Sequence, residues 1–235
     1  MLVHGDSFLV MALMKAINRS TLGAMSKSDK ADRARRSWND KYASAPDGLF
    51  GNEPNEYLRM VVSRSDFNAR RVLALGDGDG RNGSWLAGQG FDVTAVDFSQ
   101  IASDNARRRD MAGGVVPERI VADLAYWMPP PLMLFDAVIA LYLHCEPDVR
   151  ARAIGRAIAA LSPGGWLVIE DFAKSDGVPS SPGLKDQALR YSLDECLEKA
   201  CGMAVVEAFE GKNSLLEGPA HFGTAEVIRF AARRV

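Results

Sequence analysis

The feature that most narrows what this chain can fold into is the stretch "RVLALGDGDGRNG", Arg71 to Gly83. An apolar run stops at Leu75, and Gly76, Gly78, Gly80 and Gly83 follow within eight residues. Gly78, Gly80 and Gly83 spell G-x-G-x-x-G; Gly76, Gly78 and Gly80 spell G-x-G-x-G, shifted two residues toward the strand. Glycine accepts positive φ and lets a ligand come close to the backbone. Amides at the start of a following helix then face an anion or the polar end of that ligand. A plain strand-to-helix turn needs fewer glycines than these.

Around this loop, apolar runs alternate with amphipathic stretches. Strand-like runs cover Val72–Leu75, Asp92–Asp97, Arg119–Leu124, Phe135–Leu143 and Trp166–Phe172. They are rich in Val, Ile and Leu without clean alternation, as in parallel strands covered on both faces. Helical stretches are expected over Asn82–Gly90, Ser99–Ala112, Pro147–Leu161 and Ser192–Gly202. The third has Pro at its start and Pro-Gly-Gly past its end; the fourth opens with the capping box Ser192/Glu195. Two further strands, Met203–Gly211 and Thr224–Val235, are joined by the polar link "KNSLLEGPAHFG" with no helix between them, so they should be antiparallel. The expected fold is α/β: a Rossmann-like, doubly wound, seven-stranded sheet, mainly parallel with an antiparallel C-terminal strand.

Bulk properties exclude several classes. The 235 residues are 47% hydrophobic, which suits one soluble domain, expected over 31–235. Residues 1–30 read as a disordered or loosely helical extension, because Met25 opens an ordinary polar protein start. "FLVMALM" (Phe8 to Met14) lacks a basic segment in front and a small-residue cleavage site behind. A net charge of -2 argues against nucleic acid as a partner. The run Arg107–Arg109 reads as a solvated helix face. Cys145, Cys196 and Cys201 are odd in number and match no disulfide or metal spacing, which fits a reducing, cytoplasmic compartment. His4, His144 and His221 are scattered along the chain, so no metal site is expected. No apolar stretch approaches the ~20 residues of a membrane span.

Asp97, about twenty residues beyond the glycines, ends the second strand, where a carboxylate can accept both hydroxyls of an adenosine ribose; a helix cap is the alternative. Asp123 ends the third and can accept from an adenine amine; the alternative is a turn. Gly76-Asp77-Gly78-Asp79-Gly80, Asp97, Asp123-Leu124, "FDAVIALYLH" and "LSPGGWLVIEDF" together resemble the ordered motif series of class I S-adenosylmethionine-dependent methyltransferases. The resemblance runs from about Trp38 to the C-terminus. "WNDKYASAPDGLFGNEPNEYL", "GDGRNGSWLA" and "LLEGPAHFGTAEVIRFAAR" look like the tellurite-resistance and thiopurine-type small methyltransferases within that class.

This resemblance implies S-adenosylmethionine as cofactor and a small-molecule acceptor, a soft S, Se or Te nucleophile or an oxyanion. It implies no nucleic-acid or membrane partner, and a monomer or homodimer. Gly76, Asp77, Gly78, Gly80 and Asn82 would approach the methionine end, Asp97 and Ser99 the ribose, and Phe98, Asp123 and Leu124 the adenine. Ala140, Leu141 and Tyr142 would line the cofactor from below. Trp38, Tyr42 and Asn55, with Phe50 and Pro54, would cover it, and the loop Lys174–Tyr191 would act as a lid. His221 and Arg229 are the candidates for proton transfer and for holding the acceptor. The sequence departs from the family at Ala74, where an acidic residue is usual, and at Phe222, where the tellurite type has Arg after its His. Ala74 leaves open a non-catalytic cofactor-binding protein. A nicotinamide-dependent oxidoreductase is the remaining alternative, without a visible Tyr-Lys or His arrangement for hydride transfer.

Overall fold

The computed structural model describes residues 26–175, 184–218 and 221–235. The expected extension before Met25 and the middle of the expected lid lie outside these residues. The chain divides into two compact units, Met1–Ser37 and Trp38–Val235. In the first, the described residues open a helix, where Ser26 Oγ accepts the Asp29 amide at 3.1 Å. This helix, α1, spans Lys27–Ser44.

In the second unit, α2 (Glu56–Val62) starts at Asn55, whose side chain caps the Leu58 amide. The strand and helix pairs follow: β1 (Arg71–Leu75), α3 (Arg81–Gly88), β2 (Asp92–Asp97), α4 (Gln100–Gly113), β3 (Glu118–Val121), β4 (Phe135–Leu141), α5 (Pro147–Ala159) and β5 (Leu161–Phe172). Then come α6 (Leu193–Lys199), β6 (Met203–Gly218) and β7 (His221–Arg234). The sheet order is β3-β2-β1-β4-β5-β7-β6. β1 to β5 pair in parallel, and β7 runs antiparallel to both β5 and β6. The expected fold class is observed, with the single antiparallel strand where the missing crossover helix placed it.

Two apolar layers cover the sheet. Ala153, Ile154 and Ala157 of α5 and Cys196 of α6 pack with Leu73, Val138, Leu167 and Phe230. Tyr57, Leu58 and Val61 of α2 and Leu86 of α3 pack with Val72, Ile139, Val168 and Ala231 on the other face. Burying both faces explains why β1, β2 and β4 read as continuous apolar runs. No described helix is long and apolar enough to cross a membrane.

Three boundaries correct the sequence reading. β5 begins at Leu161 rather than Trp166, because Leu161 pairs Phe135 before a register shift restores pairing at Ala137 and Trp166. β3 stops at Val121, so Asp123 sits in the turn after it. The polar link between the last two strands is itself ladder: Asn213 pairs Ala225, Leu216 pairs Phe222 and Gly218 pairs His221. His221 is therefore a strand residue. The link reads as polar because β6 is the sheet edge and its outward positions are solvated.

Candidate functional site

Parallel strands bring their C-terminal ends to one edge, where loops converge. The glycine loop leaves β1 there. Gly76 (φ 67°) and Gly78 (φ 58°) both sit in the left-handed region. A Cβ on Gly76 would stand 2.6 Å from Leu143 Cδ1, and one on Gly78 would collide with the Tyr42 hydroxyl. Gly80, also left-handed, is the N-cap of α3, and Gly83 lies inside that helix. The third glycine of the dinucleotide spelling is thus a helix residue.

Asp97 closes β2 directly beneath the loop. Its Oδ2 accepts the Gly78 amide at 2.9 Å, and its Oδ1 accepts the Ser99 amide at 2.8 Å. Burial pushes its carboxyl up to about 6, against those two bonds; Asp77 and Asp79 push it further. The cap of α4 is Ser99, whose Oγ accepts the Ala102 amide and donates to Asn39 Oδ1. That leaves Asp97 with no capping task. Each of its oxygens retains a lone pair for a ligand diol.

The other loop carboxylates are occupied. Asp77 accepts the Gly83 amide at 3.0 Å and is in a close ion pair with Arg119, which also holds Asp110 at 2.8 Å. Burial raises the Asp77 carboxyl, and Arg119 pulls it back. Asp77 therefore braces the loop from behind. Asp79 accepts the Leu49 amide at 3.1 Å. Asp123 accepts the Ala125 amide at 2.8 Å, as in a turn. Leu124 and Ala140 are buried in the apolar layer, and Phe98 is half-buried.

Beside the loop lies an aromatic cluster drawn from five segments of the chain. Trp38 and Tyr42 of α1 have ring centres 5.8 Å apart, and Trp38 lies 6.3 Å from Phe50 and 6.0 Å from His144. His221 lies 4.1 Å from Tyr142, 4.5 Å from Phe50 and 5.5 Å from Phe172. Tyr142, just past β4, is one of only two described non-glycine residues with positive φ (53°). Strain of this kind concentrates at functional sites. Buried atoms without a hydrogen-bond partner gather here: Tyr142 Oη, both ring nitrogens of His144, Asp171 Oδ2 and His221 Nε2. The His144 Nε2 lies 3.2 Å from Asp171 Oδ1, close enough for an ion pair but off the hydrogen-bond direction.

A polar network anchors the cover to the sheet. Asn55 donates from its backbone to Asn82 Oδ1 at 2.8 Å, and from its side chain to Glu170 and to Glu217 Oε1. Arg81 pairs with Glu217 at 2.7 Å and reaches the carbonyls of Phe50 and Glu53. Arg229 pairs with its register partner Glu170 at 2.7 Å. His221 Nδ1 lies 3.3 Å from Glu217 Oε2. Burial alone would raise the Glu217 carboxyl, but His221 and Arg81 hold it down to about 2. Burial pushes the His221 imidazole down, and Glu217 counters in part.

The structure thus brings together Trp38, Tyr42, Asn55, Asn82, Gly76, Gly78, Asp97, Tyr142 and His221. It turns Asp77 toward Arg119 and Arg229 toward Glu170. Sequence reasoning missed His144, Asp171, Glu170 and Glu217. The available signal was positional: Asp171 lies at the end of β5 and His144 follows the end of the neighbouring β4. Among the described residues, no three His, Cys, Asp or Glu side chains are grouped to hold a metal.

Comparison with known proteins agrees with this geometry. Residues 72–165 match a family model described as a methyltransferase domain. A curated relative, ribosomal RNA small subunit methyltransferase C of Chromohalobacter salexigens, is 32% identical over 115 residues; the match covers 47% of this chain and 34% of that protein. The crystal structure of TehB from Haemophilus influenzae superposes with a TM-score of 0.62 at 18% identity, covering 75% of this chain and 62% of that one. The N-methyltransferase NodS from Bradyrhizobium japonicum WM9, with S-adenosyl-l-homocysteine, gives 0.65 at 16% identity, covering 85% and 97%. The chain spans about a third of the curated relative and under two thirds of TehB. Its fold is that of the class I, S-adenosylmethionine-dependent methyltransferases.

Proposed function

We propose that this protein transfers a methyl group from S-adenosylmethionine to a small-molecule acceptor. One observation carries the reading: Asp97 and the left-handed Gly76–Gly80 loop meet at the sheet edge, beside an aromatic cluster whose buried polar atoms lack partners. The residues fit the cofactor. The amide-rich loop would take its methionine end and Asp97 the ribose diol, with Phe98, Asp123 and Leu124 at the adenine and Ala140 to Tyr142 beneath. When bound, the cofactor supplies an electrophilic methyl on sulfonium, and the protein aligns the acceptor and excludes water. Trp38, Tyr42 and Phe50 would do the excluding. The likeness to TehB supports a tellurite-type subgroup only in outline. The net charge of -2 favours a small acceptor over the RNA named for the curated relative.

A non-catalytic binder has one observation in its favour: Ala74 is buried and apolar where the family carries an acid. Titration calorimetry should show binding of S-adenosylmethionine and S-adenosylhomocysteine and none of NADH. Labelled methyl transfer across an acceptor panel separates an enzyme from a binder. NADH binding with no binding of S-adenosylmethionine would overturn the reading.

A further inference from the structure

We propose that His144, held by Asp171, is the base that takes the acceptor's proton, and that the acceptor is a neutral aromatic compound with a dissociable proton on its nucleophilic atom. This rests on the methyltransferase reading above. Asp171 is fully buried at the end of β5. Its Oδ1 accepts the Phe172 amide at 2.7 Å and faces His144 Nε2 at 3.2 Å. Neither ring nitrogen of His144 has a hydrogen-bond partner, and Nε2 is the one beside Asp171. A buried carboxylate this close favours the imidazolium that proton uptake at Nδ1 would create. Leaving a buried polar atom unpaired is costly, and a ligand proton would offset that cost.

The competing bases at the site are unsuited. His221 also has a carboxylate at one nitrogen and a free second one, but burial pushes its imidazole down, which makes it a weaker base. Burial pushes the Tyr142 phenol well above its ordinary range and the Cys145 thiol up to about 12. The ring surfaces of Trp38, Tyr142 and Phe172 surround the His144 ring at 5.8–6.1 Å, which suits a flat, apolar acceptor.

Charge argues against an oxyanion. The guanidinium of Arg81 is spent on Glu217 and that of Arg229 on Glu170. Arg190, 5.9 Å from the Phe172 ring, donates to the carbonyls of Ala173 and Leu184. An acceptor arriving already deprotonated would find these three guanidiniums committed, and Lys41, over the Trp38 ring, has its charged form disfavoured by burial. In the step, the acceptor's X–H proton passes to His144 Nδ1 while X bonds the methyl carbon. The carbon–sulfur bond breaks with its electron pair on sulfur. The products are X–CH3, neutral S-adenosylhomocysteine and an imidazolium balanced by Asp171, which later releases its proton to solvent.

The titratable groups nearest His144 are Asp171 at 3.2 Å, Tyr142 at 6.1 Å between ring centres, and His221, itself paired with Glu217; Lys41 lies over the Trp38 ring and Arg190 over the Phe172 ring, each one ring removed. The test uses the full chain and its His144→Gln and Asp171→Asn variants, with phenol, 4-nitrophenol, aniline and thiophenol as probes, against selenite and tellurite. Calorimetry with S-adenosylhomocysteine comes first; no binding by the parent overturns the methyltransferase reading itself. With binding intact, we expect labelled methyl on at least one protic probe and none on the oxyanions. His144→Gln should lower kcat about 10²–10⁴-fold, with S-adenosylhomocysteine affinity within twofold, and the loss should be greater for phenol than for the more acidic 4-nitrophenol. The acid limb of the parent pH profile should disappear. Independently of turnover, nitrogen NMR of ring-labelled histidine at about pH 7.5 should show the His144 proton on Nε2 in the parent and a changed ring signal in Asp171→Asn. Methyl on an oxyanion alone, no methyl on any protic probe, or His144→Gln turnover within twofold overturns the proposal, and so does a His144 ring signal unchanged in Asp171→Asn.

Discussion

Replacing Asp97 with asparagine should move stability and cofactor affinity in opposite directions. Asp97 is buried, and its carboxyl is pushed from the ordinary 3.8 up to about 6. A carboxyl raised in the folded state destabilises the fold above that value. The difference, 6 − 3.8, is about 2 pH units, or roughly 3 kcal/mol at pH 7.5. Asparagine removes that charge but turns one amide donor toward either Gly78 N or Ser99 N, which costs about 1–2 kcal/mol. The net for Asp97→Asn is therefore neutral to about 2 kcal/mol stabilising in denaturant unfolding at pH 7.5. The same change removes a charged acceptor for the ribose diol, a loss of about 1.5–3 kcal/mol, or roughly 10- to 150-fold in Kd. Parent affinity should fall as pH drops through about 6, because binding favours the ionised form; the variant should lack that limb. Calorimetry at pH 5.5 and 7.5, paired with urea unfolding, reads both. A variant that binds within twofold of the parent, or loses more than about 2 kcal/mol of stability, would refute the assignment.

Glu217→Gln should destabilise the protein at pH 7 by about 3 kcal/mol, since its carboxyl is held from 4.5 down to about 2; in the parent this stability is present above pH 4.5 and lost as pH falls toward 2, checked by unfolding across that range. Gly78→Ala should raise the Kd for S-adenosylhomocysteine at least about tenfold, from a left-handed residue with a Cβ (about 1–2 kcal/mol) and a displaced Tyr42 hydroxyl, measured by calorimetry. Removing the residues before Met25 should leave melting temperature and that Kd unchanged, read by thermal shift and calorimetry.

Much of the fold was legible because its strands are buried on both faces. Val72–Leu75 and the centre of Asp92–Asp97 are short, largely apolar runs flanked by glycine, the pattern of strands in a covered parallel sheet. Illegible parts share one cause: pairing carried by backbone rather than by side chains. "LSPGG" reads as a turn, yet the chain continues through it as strand past a register shift. "KNSLLEG" reads as a link because β6 is an edge with solvated positions. The residues expected at the cofactor could be singled out because they lie at fixed offsets from strand ends.

The acceptor side was not readable, because its residues are partners across strands rather than along the chain. Glu170 and Arg229 are directly opposed in the antiparallel β5–β7 ladder, fifty-nine residues apart in sequence. Nothing local to Arg229 shows that its charge is already neutralised, and Glu226, its obvious neighbour in sequence, is not its partner. The same logic hides His144. Leu141 pairs Glu170 in parallel register, so the segments leaving β4 and β5 emerge side by side and deliver His144 against Asp171. Three histidines scattered along a sequence exclude a metal motif, but they do not exclude a base, since a base needs one histidine and one carboxylate that meet only after two adjacent strands have paired. Once they have, Arg81 and Arg229 are committed to carboxylates while both ring nitrogens of His144 lack a hydrogen-bond partner, and the proposed proton transfer rests on that contrast.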